Sequence, residues 1–273
     1  MLKTIEIMRG YIPTIAGGSI AKYEQAIADA RSWIIATLLG REFMVEIEAM
    51  DSESELYRCT ERLLAYKAYR LAIPKLDLVE TANGFAVVDD DKLVPASRDR
   101  VAALVSSFEA SITQAVGELL DYLEDTPAYR ELWSNSPAFT VMTDSFLPTL
   151  REFRRYGSFV GNNLDFMAAR PAFQAIILRH IEPRISRELT RAVLEEVAAG
   201  SVSENHLRIL SDLKFALAAF YNERIELGEE SIARVRRMLE ADPDAFPAFK
   251  ASKLYAEITS PAPEKKEQPF FVM

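Results

Sequence analysis

The apolar residues of this chain step by three and four almost throughout, a spacing that admits little besides packed helices. Ile20, Tyr23, Ile27, Ala30, Ile34 and Leu38 fall on one helical face, with Ser19 placed as an N-cap and Gly40 as the residue that ends the run. Leu56, Cys59, Leu63, Tyr66 and Ile73 mark a second helix. It starts near Asp51 and Ser52 and stops at Pro74, which removes a backbone donor. A third runs from about Ser97 to Leu123, with Val101, Leu104, Phe108, Ile112, Ala115, Leu119 and Tyr122 as its stripe. At 1.5 Å per residue it spans roughly 40 Å. Phe173, Ile176, Ile177, Ile181, Ile185 and Leu189 carry a fourth series, interrupted at Pro183 and ended by Gly200. Ser201-Val202-Ser203-Glu204 then forms a capping box for a fifth helix built on Leu207, Leu210, Leu213, Leu217 and Phe220.

Between the second and third helices, two short β-prone runs within 84–95 flank the acidic tip Asp89-Asp90-Asp91, with Asn83-Gly84 as the preceding turn; this is a hairpin pattern. Residues 125–150 carry Pro127, Tyr129, Trp133, Pro137, Phe139, Phe146 and Pro148, which predicts short bridging helices. After them the pattern begins again. Trp33-Ile34-Ile35 lies over Ala175-Ile176-Ile177, Leu39 over Ile181, Phe43 over Ile185 and Ile47 over Leu189, all 142 residues apart. The stretch Leu119 to Leu123 followed by Pro127-Ala128-Tyr129 echoes Val235 to Leu239 followed by Pro247-Ala248-Phe249.

The expected fold is therefore mainly α: two tandem helical-bundle copies, a small β-hairpin insert in the first, and an extended C-terminal tail. The first copy with its hairpin and bridging region takes 1–149, the second 150–258, and a linker with an apolar tail 259–273. The hairpin has no counterpart in the second copy, where only Glu226-Leu227-Gly228-Glu229-Glu230 is found. That makes Val87, Val88, Asp89, Asp90 and Asp91 candidates for contact. Phe270, Phe271, Val272 and Met273 on their polar tether read as a docking tail, or else as a tail folded back on its own core.

Composition sets limits on function. At 273 residues and 30.7 kDa, with 49% hydrophobic residues, the chain can bury a core without disulfides or metal, and the single cysteine, Cys59, allows no intrachain bridge. Thirty-two basic against 41 acidic residues leave a net charge of −9, so the averaged surface repels phosphate and sequence-specific DNA reading is not expected. No stretch is apolar for long enough to be a signal peptide or a spanning helix, which predicts a soluble intracellular protein.

The sequence offers no chemistry to a substrate. His180 and His206 lack metal-ligand spacings; His180 reads as a structural residue near a helix end and His206 as a surface residue of a first turn. P-loops, nucleophile elbows and dinucleotide turns are not found. The Asp89–Asp91 run lacks the spaced oxygens of a calcium loop, pairs such as Glu195-Glu196 read as solvated faces, and Cys59 sits at an apolar helix position that leaves its thiol inert. The expectation is a non-enzyme with no catalytic residue, metal or cofactor. One local reversal of charge is left: Arg151, Arg154 and Arg155, with Arg170 further on, able to meet a phosphate backbone or an acidic patch on a neighbouring subunit. Phe153, Tyr156 and Phe159 among them serve either as a stacking platform or as core.

Tyr11-Ile12-Pro13, the Ile34-Ile35…Leu38-Leu39-Gly40 helix end, the helix Leu63-Leu64-Ala65-Tyr66-Lys67-Ala68-Tyr69 and the Leu123-Glu124…Pro127-Ala128-Tyr129 corner together resemble an uncharacterised, duplicated helical family of Bacteroidetes and their prophages. More distantly, the helix end from Ala30 through Gly40-Arg41, ahead of a long hydrophobic helix, is similar to the small head–tail connector (adaptor) proteins of tailed phages. This chain is about twice the size of a usual adaptor. The resemblance implies a structural protein of the virion neck, assembled in the bacterial cytoplasm. It would self-associate into a ring of twelve or six copies, with portal and tail or neck proteins as partners, DNA only as passing cargo, and no membrane. Contact would fall to Val87–Asp91, the arginines at 151, 154 and 155, and Phe270–Met273. The alternative reading is a cytoplasmic helical-repeat scaffold that binds a protein partner.

Overall fold

A computed structural model describes residues 1–15, 18–76 and 97–260, together with the backbone of two short strands between 78 and 87. Among the expected contact residues, Val88, Asp89, Asp90, Asp91, Phe270, Phe271, Val272 and Met273 lie outside the described residues, and Val87 is described only as strand backbone. The chain forms two compact units, one of residues 1–142 with 160–168, the other of 143–159 with 169 onward.

In the first unit Thr4 opens α1 (Ile5–Tyr11), its hydroxyl accepting the Ile7 N–H. Ser19 caps a 3₁₀ turn, Ile20–Tyr23, that runs into α2 (Glu24–Ile34). Over Ile35–Leu39 the helix widens into a π turn, in which the Gly40 N–H reaches the Ile35 carbonyl at 2.9 Å. Gly40, at φ 76° and ψ 168°, swings the chain directly into α3 (Arg41–Ala49). Ser54 caps α4 (Glu55–Ala72), so that helix begins later than Asp51 and Ser52 indicate; Pro74 follows in a 3₁₀ turn as expected.

β1 (Leu78–Thr81) pairs antiparallel with β2 (Gly84–Val87), Leu78 opposite Val87 and Thr81 opposite Gly84. The tip and second run of the hairpin expected over 84–95 lie outside the described residues; of that span only 84–87 is described. The run at 84–87 pairs with the segment before it, and a short run with a two-residue period carries nothing that selects one neighbour over the other. Ser97 caps α5 (Arg98–Asp125), whose buried stripe of Phe108, Ile112, Ala115, Leu119 and Leu123 follows the sequence pattern and packs on α4. Pro127 opens a 3₁₀ turn, and α6 (Arg130–Ser134) and α7 (Pro137–Met142) complete the bridging region as short helices.

Thr149 opens α8 (Leu150–Tyr156) in the second unit by accepting the Glu152 N–H. α9 (Asn163–Ala168) then packs on α5 and α7 and counts with the first unit. α10 (Arg170–Ile176) widens into a second π turn, Ile177–Ile181, followed by α11 (Glu182–Ile185). Pro183 sits harmlessly in the first turn of α11, where its missing N–H is not needed. The break comes instead at Ser186, φ 82° and ψ 153°, which caps α12 (Arg187–Ala199). Gly200, in the left-handed conformation, ends α12. The cap of α13 (Glu204–Tyr221) is Ser203, accepting from the His206 N–H, and not Ser201.

α14 (Ile225–Ala241), a 3₁₀ turn at Pro243–Ala245, α15 (Pro247–Lys250) and α16 (Lys253–Thr259) close the described chain. α13 and α14 approach closely because position 228 is glycine; a Cβ there would lie 2.6 Å from the Phe220 ring. No described helix is long and apolar enough to cross a membrane.

Candidate functional site

The arginine cluster divides. On α8 the buried Leu150 and Phe153 fix one side of the helix, and the one- and three-residue steps from 151 to 154 and 155 put Arg151, Arg154 and Arg155 on its exposed side. Lys214 on α13 pairs with Glu152 and helps hold α8 in place. Of the aromatics among the arginines, Phe153 and Phe159 are core and not a stacking platform, while Tyr156 is half-buried. Phe153 stacks on Phe173 at 5.4 Å and meets Phe159 and Tyr221 edge-on, while Phe159 stacks on Tyr221 at 5.7 Å.

Arg170 is not part of that surface. Only 3% of it is exposed; its guanidinium donates to the Ser145 hydroxyl and to the Leu147 and Pro148 carbonyls, the latter two at 2.9 and 2.6 Å. Burial pulls the guanidinium down to about 10 and pushes the neighbouring Asp144 carboxyl up. Arg170, with Gln174 donating to the Asp144 carbonyl, therefore pins residues 144–148, a task that a charge pattern along the sequence does not reveal.

His206, expected at the surface, is buried. Its Nδ1 lies 2.8 Å from Glu196 Oε2 and its ring stacks on Phe246, while the next residue, Leu207, takes the exposed position. Burial alone would raise the Glu196 carboxyl, but the Ser203 N–H, His206 and the Ser203 hydroxyl outweigh it and leave that group below its usual range. His180 stacks on Phe220 at 4.6 Å, a structural placement. Cys59 is buried, and burial, with Glu55 beside it, pushes its thiol up to about 11, which leaves it unreactive.

Glu61 is the buried acid that sequence reasoning missed. Its carboxylate accepts from the Leu2 N–H at 2.9 Å, the Tyr57 hydroxyl at 3.3 Å and the Tyr11 hydroxyl at 3.2 Å, so it fastens the start of the chain to α4. Burial pushes the Tyr11 hydroxyl up to about 12, and Glu61 adds to the shift. A signal was available: Glu61 lies four residues after Tyr57 and three before Leu64, on the apolar face of its helix.

The concavities are modest. One of about 70 Å³ lies between α4 and α5 beside the Arg62–Glu118 pair. A second, about 280 Å³, adjoins Gly40 and Leu132, and an open groove of about 370 Å³ runs along α12 past Arg187, Arg191 and Leu194. Among the described residues no three His, Cys, Asp or Glu side chains cluster as a metal site. What the geometry offers is surfaces: the arginine side of α8 and the outer faces of the short helices.

Residues 12–141 match the family model of a family of unknown function, DUF6712. The matched span is just under half the chain and lies within the first unit. No curated protein and no solved structure matches the chain. The family description names no activity, organism or assembly, and so does not bear on the likeness to phage connectors.

Proposed function

We propose that this chain is a non-enzymatic building block of a phage or prophage particle: a head–tail connector that associates side by side into a ring between portal and tail, in the virion neck, with duplex DNA as passing cargo. The observation that carries this reading is that the two units run through one series of elements, irregularities included, which supports an internal duplication. Thr4 and Thr149 each cap a seven-residue helix. The five-residue π turns Ile35–Leu39 and Ile177–Ile181 lie 142 residues apart. Gly40-Arg41-Glu42 and Ser186-Arg187-Glu188 turn the same positive-φ corner.

The parallel continues to the end of each unit. Ser54-Glu55 and Ser203-Glu204 each open a helix of 18 residues. Trp133 meets Phe139 at 5.2 Å and 75° across Ser136; Phe249 meets Tyr255 at 5.5 Å and 68° across Ser252. The register differs from the single offset expected. α11 adds one turn, so Phe43 answers to Leu189 and Ile47 to Val193, and the 3₁₀ turn at Pro127 answers to Pro243 in place of Pro247.

Two quasi-equivalent lobes in one chain suit a ring component. The buried charges fit a structural role as well, since Arg170 and Glu61 serve to hold backbone. A net charge of −9 suits a lumen along which DNA slides. Contact is assigned to the arginine side of α8 and to Val87–Asp91. Native mass spectrometry and negative-stain microscopy of the purified chain, alone and with a tailed-phage portal protein, test the reading. The expected result is a closed ring that binds portal, with binding lost in the Arg151→Glu/Arg154→Glu/Arg155→Glu variant. A chain that stays monomeric and leaves portal unbound overturns the proposal in favour of a peptide-binding scaffold.

A further inference from the structure

The chain passes from the second unit to the first at Phe159-Val160, and it presents an apolar side chain to water there. Val160 is 99% exposed, whereas Leu178 and Leu207, the next most exposed large apolar residues described, are 57% and 55%. Counted from the Thr4 and Thr149 caps, Val160 answers to Ile15, which is 4% exposed in the core of the first unit. The chain is pinned on either side of Val160. Ahead of it, Phe159 stacks on Tyr221, and the Ser158 N–H donates to Asn222 Oδ1 at 2.7 Å while its carbonyl accepts from Asn222 Nδ2 at 2.9 Å. Gly157 lets this stretch lie against α13, since a Cβ there would stand 3.0 Å from Asn222 Oδ1 and 3.1 Å from Ala218 Cβ. After it, the Asn162 side chain accepts the Leu164 N–H at 2.8 Å, and the Asn162 N–H donates to Asp165 Oδ2 at 2.9 Å. At Gly161, φ 138°, a Cβ would meet Asp165 at 2.9 Å. An apolar side chain held out in this way loses little conformational freedom when a partner covers it.

The open groove of about 370 Å³ along α12 has the chemistry to take it. Leu194 and Ala198, both half-buried, line it together with the buried Thr190. Granted the duplication, Leu194 answers to Glu48, which is bonded to Arg31, so the first unit does not repeat this apolar floor. At 99% exposure Val160 does not occupy the groove of its own chain, and in this fold the two meet only between copies. We infer that Val160 seats in the α12 groove of a second copy of this chain, an inference that rests on the ring reading above. Arg154 and Arg155, exposed at the end of α8 just ahead of Val160, then come to a groove that Glu182 and Glu195 also line. Knob and groove are different surfaces, so the contact is heterologous: it propagates from copy to copy and closes into a ring when the rotation per copy divides a full turn.

Cysteine cross-linking of the full chain, together with light scattering coupled to size exclusion, tests this; the native Cys59 is buried and stays out of the reaction. Under mild oxidation the Val160→Cys/Ala198→Cys variant is expected to give a ladder of covalent oligomers, while either single variant stays at the size of one chain. Val160→Asp, at a position too exposed to disturb folding, is expected to raise the concentration needed for association at least about tenfold with unchanged circular dichroism. Val160→Ile is expected to leave association as it is in the parent. A missing ladder, a cross-link that closes within one chain, or rings that persist in Val160→Asp overturn the inference, and a parent that still forms rings leaves the connector reading in place. A parent that is monomeric at about 100 µM sinks both readings.

Discussion

The two units turn one corner with different residues. Gly40 (φ 76°, ψ 168°) and Ser186 (φ 82°, ψ 153°) hold nearly the same backbone, in a region that is essentially glycine's own. Gly40 adopts it freely but offers no side chain to the first N–H groups of α3. Ser186 is strained there, and offsets the strain with a hydroxyl that accepts the Leu189 N–H at 3.2 Å and a carbonyl that accepts the Thr190 hydroxyl at 2.9 Å. The corner is thus imposed by packing on either side of it, and the residue at the corner decides only its energetic cost. Two further differences separate the units. Under the proposed duplication, Phe173 and Leu194 answer to the Arg31–Glu48 pair of the first unit, and Gly228 on α14 answers to Ile112 on α5.

Substitutions sharpen these contrasts. Arg170→Ala leaves the Leu147 and Pro148 carbonyls without their donor and is expected to cost about 4 kcal/mol; hydrogen exchange should show the loss confined to amides of the second unit. Gly228→Ala drives a methyl group into the Phe220 ring and should cost about 3 kcal/mol in urea unfolding. Phe220→Leu in the same chain should restore part of it, and no recovery would mean that the close crossing is not what requires the glycine.

The corner itself gives a test by sign. Gly40→Ala should destabilise by about 2 kcal/mol, whereas Ser186→Gly should be neutral or stabilise by up to about 1 kcal/mol, because glycine caps almost as well as serine and removes the strain. Equal signs in a thermal melt would end the comparison.

The smallest effect is electrostatic. The Arg31 guanidinium, bonded at 2.7 and 2.8 Å, holds the Glu48 carboxyl below its usual range. Its contribution is therefore present above the unfolded pKa of about 4.3 and is lost as pH falls through the lower folded value. Glu48→Gln should cost about 0.5 kcal/mol at neutral pH, given how exposed the pair is. It should also flatten the fall of the urea midpoint between about pH 5 and pH 3.

Much of the helical content was legible in the sequence. The α5 stripe, the caps at Ser19 and Ser97, the stop at Pro74 and the left-handed Gly200 all follow from local spacing and cap chemistry, which act over one turn of chain. The π turns were not legible, because Ile35–Leu39 and Ile177–Ile181 are ordinary apolar helical residues whose widened bonding is stabilised from outside the segment. The burial of His206 and Arg170 escaped for a similar reason. Phe246 and residues 144–148 lie some 20 to 40 residues away from the side chains they enclose.

Among candidate contacts, the outward arginines of α8 could be read from their spacing, but nothing local separated them from Arg170. The amino-acid sequence by itself determined that this chain makes helices, roughly where each begins and ends, and that its surface is acidic overall, since these depend on neighbours within a few residues or on a sum over all of them. Only the tertiary structure decided which charges are buried, where the helices widen, that β1 pairs with β2, and that α9 covers α7. Those outcomes depend on which distant surfaces meet, and a linear pattern does not encode that.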